Sequence, residues 1–290
     1  MKELVIISGK GGTGKTSVTA AFAVLADKPV MADCDVDAAD LYLVLHPEVK
    51  ERTVFTSGHE AVINPDGCTG CGLCEEYCRF NALKYTEDAD GKKTYSVDPI
   101  ACEGCGVCVA FCPVKAIDFP DRVCGEWMIS ETRVGPMVHA KLGIAAENSG
   151  RLVSLVRKES ARVAEETGRE LVITDGPPGI GCPVIASLTG ASQVLVVTEP
   201  TVAGAHDLER VLKLTNHFEI PASICVNKWD LNEEMTQRIE KRSEELGAKI
   251  AGRIRYDRGV TMAQVEGKAV VETDTPSAED IKAVWNSLSI

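Results

Sequence analysis

The sequence predicts an α/β protein: a mostly parallel sheet covered by helices on both faces, with a small α+β module inserted into it. Three observations predict it. Short runs of Val, Ile and Leu alternate with helical segments at both ends of the chain, which is how strands buried on two faces read. A glycine-rich loop follows the first of those runs. Between the two alternating parts lies a stretch of different composition, roughly residues 64–119, that repeats itself.

The first strand is LVII (4–7), followed by the helix KTSVTAAFAVLA (15–26) and a second strand, PVMADCD (29–35). Alternation resumes after Pro120. Residues 149–168 form an amphipathic helix with Leu152, Leu155, Val156 and Val163 on one face. Strand LVITD (171–175), a helix near 183–188, strand QVLVVTE (193–199), a helix over 204–217, strand ASICVNK (222–228) and a helix over 233–246 follow. Residues 1–60 and 120–290 therefore make one domain, and 61–119 an insertion. PDGCTGCGLCEEYCRFNAL (65–83) matches PIACEGCGVCVAFCPVKAI (99–117) at a constant offset of 34 residues, so the insertion is pseudo-symmetric.

With 290 residues the chain can hold a large α/β domain and a small module. Its 44% hydrophobic and 26% charged residues are ordinary for a folded globular protein. A formal charge of -12 argues against a nucleic-acid partner, because phosphate neutralisation needs clustered Lys and Arg. No apolar run approaches the roughly 18 residues of a membrane span, and LVII is too short for a signal core. The expected location is the cytoplasm. Of the 12 cysteines, eight fall in two tight clusters, which points to metal and away from a disulfide framework.

SGKGGTGKTS (8–17) satisfies G-x-x-x-x-G-K-[ST] from Gly9 to Thr16, directly after a strand and before a helix. Gly11, Gly12 and Gly14 admit backbone conformations that turn N–H groups inward. The helix starting near Lys15 adds its positive end. Lys15 is placed to reach the outer phosphates and Thr16 to offer a hydroxyl to magnesium, with Thr13 and Ser17 completing the candidate nucleotide set. Including Lys10, KGGTGKT resembles the deviant Walker A loop of the ParA/MinD/nitrogenase-iron-protein group of P-loop ATPases. That resemblance implies that Lys10 acts on the nucleotide of a facing subunit in a sandwich dimer.

Three further segments fit the same resemblance. DCDVDAADL (33–41) looks like switch I, which assigns Asp35 to orienting the attacking water and Asp33 to the magnesium shell. An acidic turn capping the next helix would also use these aspartates, Asp37 included. LVITDGPPG (171–179) resembles the Walker B and switch II segment, with Asp175 binding magnesium through water and Gly179 letting the loop respond to the terminal phosphate. In VNKWD (226–230), Asn227 stands where an asparagine reads the base. Asn227-Lys228-x-Asp230 also matches the N-K-x-D pattern that selects guanine, so the resemblance favours ATP while the tetrapeptide keeps GTP open.

Each half of the insertion carries C-x2-C-x2-C-x3-C: Cys68, Cys71, Cys74, Cys78, then Cys102, Cys105, Cys108, Cys112. Zinc sites use separated C-x2-C pairs or histidine partners; three cysteines at this spacing wrap one cube, and the fourth reaches across. The pattern resembles bacterial ferredoxins with two 4Fe–4S clusters. By that resemblance Cys68, Cys71, Cys74 and Cys112 bind one cluster, and Cys102, Cys105, Cys108 and Cys78 the other. Pro113 follows Cys112 as in the ferredoxin pattern, whereas Arg79 follows Cys78. So small a module needs metal to hold its fold in any case, but two clusters within hopping reach favour electron transfer over a purely structural role.

Four cysteines remain. Cys34 and Cys225 read as small buried residues. Cys182 falls seven residues after Asp175, where the nitrogenase iron protein carries a cysteine that shares a cluster between subunits. By that likeness Cys182, with Cys124 as a possible partner, marks a further metal site at a dimer interface; the alternative is a thiol packed beside the loop. His139 and His206 read as structural histidines, or as part of a partner surface.

The combination looks like a MinD-superfamily P-loop ATPase with an inserted ferredoxin domain. The expected function is an ATP hydrolase, dimeric with Mg-ATP, that couples its cycle to electron transfer or metallocluster handling with a partner protein, without membrane or nucleic acid. The alternative is a positioning or partitioning ATPase whose clusters are structural. The tail 277–290 lacks the basic amphipathic face of a membrane anchor, which counts against its membrane form.

Overall fold

From Leu4 to Ser8 every residue of strand β1 (Lys2–Ser8) is buried, as a strand covered on both faces requires. The computed structural model describes residues 1–89, 91–143, 149–288 and 290. They form two compact units, one of Met1–Thr53, Glu126–Leu142 and the described residues from Ser149 onward, the other of the described residues of Val54–Gly125 with Gly143.

In chain order β1 is followed by α1 (Lys15–Leu25), β2 (Val30–Asp33), the single turn α2 (Tyr42–Leu45) and β3 (Glu48–His59). The second unit adds β4 (Val62–Ile63), α3 (Leu73–Tyr77), β5 (Leu83–Glu87), β6 (Lys93–Val97), α4 (Val107–Phe111) and β7 (Ile117–Asp118). After it come β8 (Asp121–Glu131), β9 (Pro136–Leu142), α5 (Ser149–Thr167), β10 (Leu171–Pro178), α6 (Cys182–Leu188) and β11 (Gln193–Thr198). The chain closes with α7 (Val202–His217), β12 (Ala222–Asn227), α8 (Glu233–Glu245), β13 (Lys249–Ile254), α9 (Arg258–Val265) and α10 (Pro276–Ser287).

Nine of the described strands form one sheet in the order β13-β12-β11-β1-β10-β2-β9-β8-β3. Every neighbour pair from β13 to β9 is parallel. β1 sits between β10 and β11, so the loop after it opens at the carboxyl ends of the central strands, where open α/β sheets bind ligands. Its side chains alternate between two cores. Leu4 and Ile6 join Phe22 of α1 and Val284 of α10 on one face. Val5 and Ile7 join Val184, Leu208 and Ile239 of α6, α7 and α8 on the other.

Several expected boundaries shift. β2 stops at Asp33, leaving Cys34 and Asp35 in the following loop, whereas β10 continues past Asp175 to Pro178. On α5 the buried face is Leu152, Val153, Val156, Ser160, Val163 and Ala164, and Leu155 is only half-buried. The three apolar residues Leu152, Val153 and Val156 fill the stripe, so Leu155 sits at its margin.

In the second unit, β4 pairs with β7 and β5 with β6, both antiparallel. The 34-residue offset maps Leu83 onto Ile117 and Gly72 onto Gly106, the residues preceding α3 and α4. Each half of the repeat thus exchanges strands with the other. The unit's buried residues include Ala61, Ala82, Leu83, Tyr95 and Ile117, with Cys74, Cys102 and Cys108 among them.

Candidate functional site

Residues 11–17 leave β1 and enter α1 at Gly14, whose φ of 88° belongs to glycine. A Cβ there would collide with the Asn227 amide. That amide donates to Thr13 O at 2.7 Å, and Asn227 Oδ1 accepts from Lys228 N at 2.9 Å. Asn227 therefore clasps the loop from the end of β12.

Lys15, buried with Thr13, sends its Nζ to Asp175 Oδ2 at 2.9 Å and to Asp35 Oδ2 at 3.3 Å. Asp175 also accepts from Thr16 Oγ1 at 2.8 Å and, through its other oxygen, from Thr19 Oγ1 at 2.6 Å. Parallel pairing of β10 with β2 puts Asp175 beside Asp33. Asp33 Oδ1 accepts from Asp35 N at 3.2 Å, while its Oδ2 is buried with no hydrogen-bond partner.

Three carboxylates thus crowd around one ammonium. Burial works against the charge on Lys15, but Asp175 and Asp35 outweigh it and raise its pKa. Burial and the neighbouring Asp175 push Asp33 well above the carboxylate range, and burial pushes Asp35 up despite Lys15. The site is short of positive charge and holds an orphaned buried oxygen. Both observations fit a divalent cation near Thr16, Asp33 and Asp175.

A cavity of about 1460 Å³, open mouth included, lies over this loop and is also lined by Asp35, Asp37, Asp40, Asn227 and Tyr256. Ser17 accepts from Gln264 Nε2 of α9 at 2.9 Å. Gly179 has φ 95° and donates its N–H to Ser8 O at 2.8 Å, which joins the end of β10 to the base of the loop. Lys10 turns to Glu199 of its own chain, 2.7 Å from Oε1.

In the second unit the cysteines sort crosswise. Cys68, Cys71, Cys74 and Cys112 line one cavity of about 330 Å³, mouth included, with Tyr95. Cys78, Cys102, Cys105 and Cys108 line another of about 360 Å³ with Phe119. Among the described residues, no three of His, Cys, Asp or Glu converge tightly enough to hold a single ion. Four thiols around each space are the donor set of a multi-iron group. Gly72 and Gly106 bring the backbone against the aromatic side chains, with a Cβ falling 3.2 Å from Tyr95 Oη and 3.3 Å from the Phe119 ring. Burial raises the Cys74 thiol to about 11 and pushes Cys108 up as well, so thiolates there require the positive charge of metal. Cys112 Sγ accepts from Ala116 N at 3.3 Å.

Cys182 is exposed at the first residue of α6. Cys124 is buried and its thiol donates to Ser57 O at 3.2 Å. Cys34 and Cys225 are fully buried. His139 bonds Ser130 Oγ at 2.7 Å, and burial lowers its pKa. His206 is exposed, 3.4 Å from the adjacent Asp207. Two residues that hold the candidate site together escaped the sequence reading. Thr19 lies one helical turn beyond Lys15, a spacing that does place both on one face. Glu199 gave no local signal.

Residues 43–116 match the family described as 4Fe-4S dicluster domain. The structure resembles the septum site-determining protein MinD of Pyrococcus horikoshii, complexed with Mg-ADP, at TM-score 0.57 and 16% identity over 100% of this chain and 99% of that one. It also resembles the cell division ATPase MinD of Pyrococcus furiosus at TM-score 0.56 and 17% identity, over 99% and 97% of the two chains. Together these define the class: a MinD/ParA-type P-loop fold that carries a 4Fe–4S dicluster ferredoxin domain. In sequence the chain is 34% identical over 236 residues, 79% of either chain, to the uncharacterized protein MJ0578 of Methanocaldococcus jannaschii, and it belongs to that protein's family. Among the described residues no helix is long and apolar enough to cross a membrane.

Proposed function

We propose that the protein is a magnesium-dependent ATPase that pairs with a second copy around the nucleotide and couples this cycle to electron transfer through two 4Fe–4S clusters, or to passing a metallocluster to a partner protein. The observation that carries the reading is the buried cluster in which Lys15 holds Asp175 at 2.9 Å and Asp35 at 3.3 Å, while Asp33 lies beside Asp175 with one oxygen unpartnered, short of positive charge. Magnesium, when bound, supplies the missing charge and polarises the phosphates. Thr16, Asp33 and Asp175 are the residues to hold it, directly or through water.

The chain's own groups do the rest. Backbone N–H groups of residues 11–16 cradle the phosphates, and Lys15 exchanges carboxylate oxygens for phosphate oxygens. Asp35, in the loop after β2, holds the attacking water, and Gly179 lets the loop after β10 shift when the terminal phosphate departs. Lys10 acts on the nucleotide of the facing copy. Adenine is favoured over guanine because Asp230, the residue that would read guanine, does not line the cavity over the loop and instead accepts from Tyr256 N at 2.7 Å. The Mg-ADP in the Pyrococcus horikoshii structure supports the same choice.

Cys68, Cys71, Cys74 and Cys112 hold one cluster, and Cys102, Cys105, Cys108 and Cys78 the other; bound clusters supply one-electron redox capacity. The coupling is tested on anaerobically purified protein by measuring ATP affinity and phosphate release in the reduced and oxidised states. The reading requires that the two states differ. Identical values overturn the coupling, and ATP-dependent sedimentation with vesicles or DNA would then favour the positioning ATPase that the MinD fold suggests.

A further inference from the structure

Glu199 follows β11 directly, and its place is set by the sheet. β1 and β11 pair in parallel from Leu4↔Gln193 to Ile7↔Val196, and continuing that register brings Lys10 opposite Glu199. On the other side β11 pairs with β12 up to Thr198↔Val226, which delivers the residues after β12. Glu199 consequently receives a lysine from each flank: Lys10 Nζ at 2.7 Å on Oε1 and Lys228 Nζ at 3.2 Å on Oε2.

The surroundings leave little play. Glu199 O accepts from Thr201 N at 2.7 Å, and Gly204 of α7 packs against the same carbonyl so closely that a Cβ would clash. Lys10 is anchored at its own carbonyl by Ser8 Oγ at 2.8 Å. Lys228 Nζ also reaches Gly12 O at 3.4 Å. Burial alone would raise the Glu199 carboxyl, but the hydrogen bonds from Lys10 and Lys228 hold it below the usual range.

A lysine paired with Glu199 in its own chain cannot at the same time reach a second copy. We propose that Glu199 is a positioning residue: it stores Lys10 on its own subunit, and Lys228 keeps the carboxylate paired when Lys10 leaves for the facing nucleotide. The inference rests on the ATP-dependent pairing of two copies proposed above. Lys228 is what makes the release inexpensive, because without it the departure of Lys10 would strand a largely enclosed carboxylate.

The opposing roles of the two partners of Glu199 make the test signed. Full-length, iron-loaded protein is examined by sedimentation equilibrium under anaerobic conditions at saturating Mg-ATP analogue, and again without nucleotide. In Glu199→Gln the storage pair is lost, and nucleotide-dependent dimerisation strengthens by about fivefold per lysine, on the order of 25-fold for a dimer that frees two. Without nucleotide it does not change. In Lys228→Met, Glu199 keeps Lys10 as its main partner and dimerisation weakens. Variants that shift in the same direction, or a Glu199→Gln equal to a dimerising wild type, overturn the storage role and leave the nucleotide-dependent dimer standing. A wild type that stays monomeric with nucleotide overturns the dimer itself and the inference with it.

Discussion

Thr19 offers the sharpest test of the buried carboxylate network. Its hydroxyl is fully enclosed and donates to Asp175 Oδ1 at 2.6 Å. Thr19→Val keeps the shape of the side chain, opens no cavity, and deprives a buried carboxylate oxygen of that donor. A hydrogen bond to a charged group contributes about 1.5–3 kcal/mol, equivalent to roughly 10- to 150-fold in an equilibrium constant. Lys15 and Thr16 still serve the other oxygen, so the loss is confined to Oδ1. The assay is urea unfolding followed by tryptophan fluorescence, since Trp285 packs on Phe22 of the same helix at a ring distance of 4.9 Å. With a slope of about 3 kcal/mol/M, the midpoint falls by roughly 0.5–1 M. Thr19→Ser retains the hydroxyl and stays near wild type. A valine variant within about 0.2 M of wild type, or a serine variant that loses as much as valine, refutes the assignment of this bond as a support for Asp175.

Other outcomes follow from the same geometry. Cys112→Ser lowers iron from about eight to about four per chain; adding Cys71→Ser to it costs no further iron, whereas adding Cys105→Ser removes the remainder, and iron analysis with EPR checks the crosswise order. Gly14→Ala forces an alanine into left-handed backbone and against the Asn227 amide, so titration with a fluorescent ATP analogue shows at least about tenfold weaker binding. Lys10→Ala keeps Mg-ATP binding and loses nucleotide-dependent dimerisation in sedimentation, which separates its role from that of Lys15, whose replacement abolishes both.

Legibility differed sharply along the chain. The phosphate loop and the two cysteine quartets could be read because their chemistry depends on residues within a few positions of one another. The central strands β1, β10, β11 and β12 were equally plain, since burial on both faces leaves unbroken apolar runs. By contrast β3 has almost every side chain exposed, and β8 alternates buried and open positions with a glycine among them; neither carries an apolar run. Leu155 looked like a core residue by helical spacing and lies at the edge of the buried stripe instead, because Leu152, Val153 and Val156 already fill it. Asn227 was expected to read a base, and nothing local announced its grip on Thr13, a contact between residues 214 positions apart.

By itself the sequence determined that one chain contains a P-loop motif and a twofold thiol repeat, since local spacing and glycine conformation are intrinsic to short segments. Tertiary structure alone decided which distant groups became partners where no motif links them: Thr19 with Asp175, and Lys10 and Lys228 with Glu199. The physical reason is register. Parallel strands of similar apolar composition can be aligned in many ways on paper, and only their packing into a common pair of cores selects the alignment that sets which side chains meet at the strand ends.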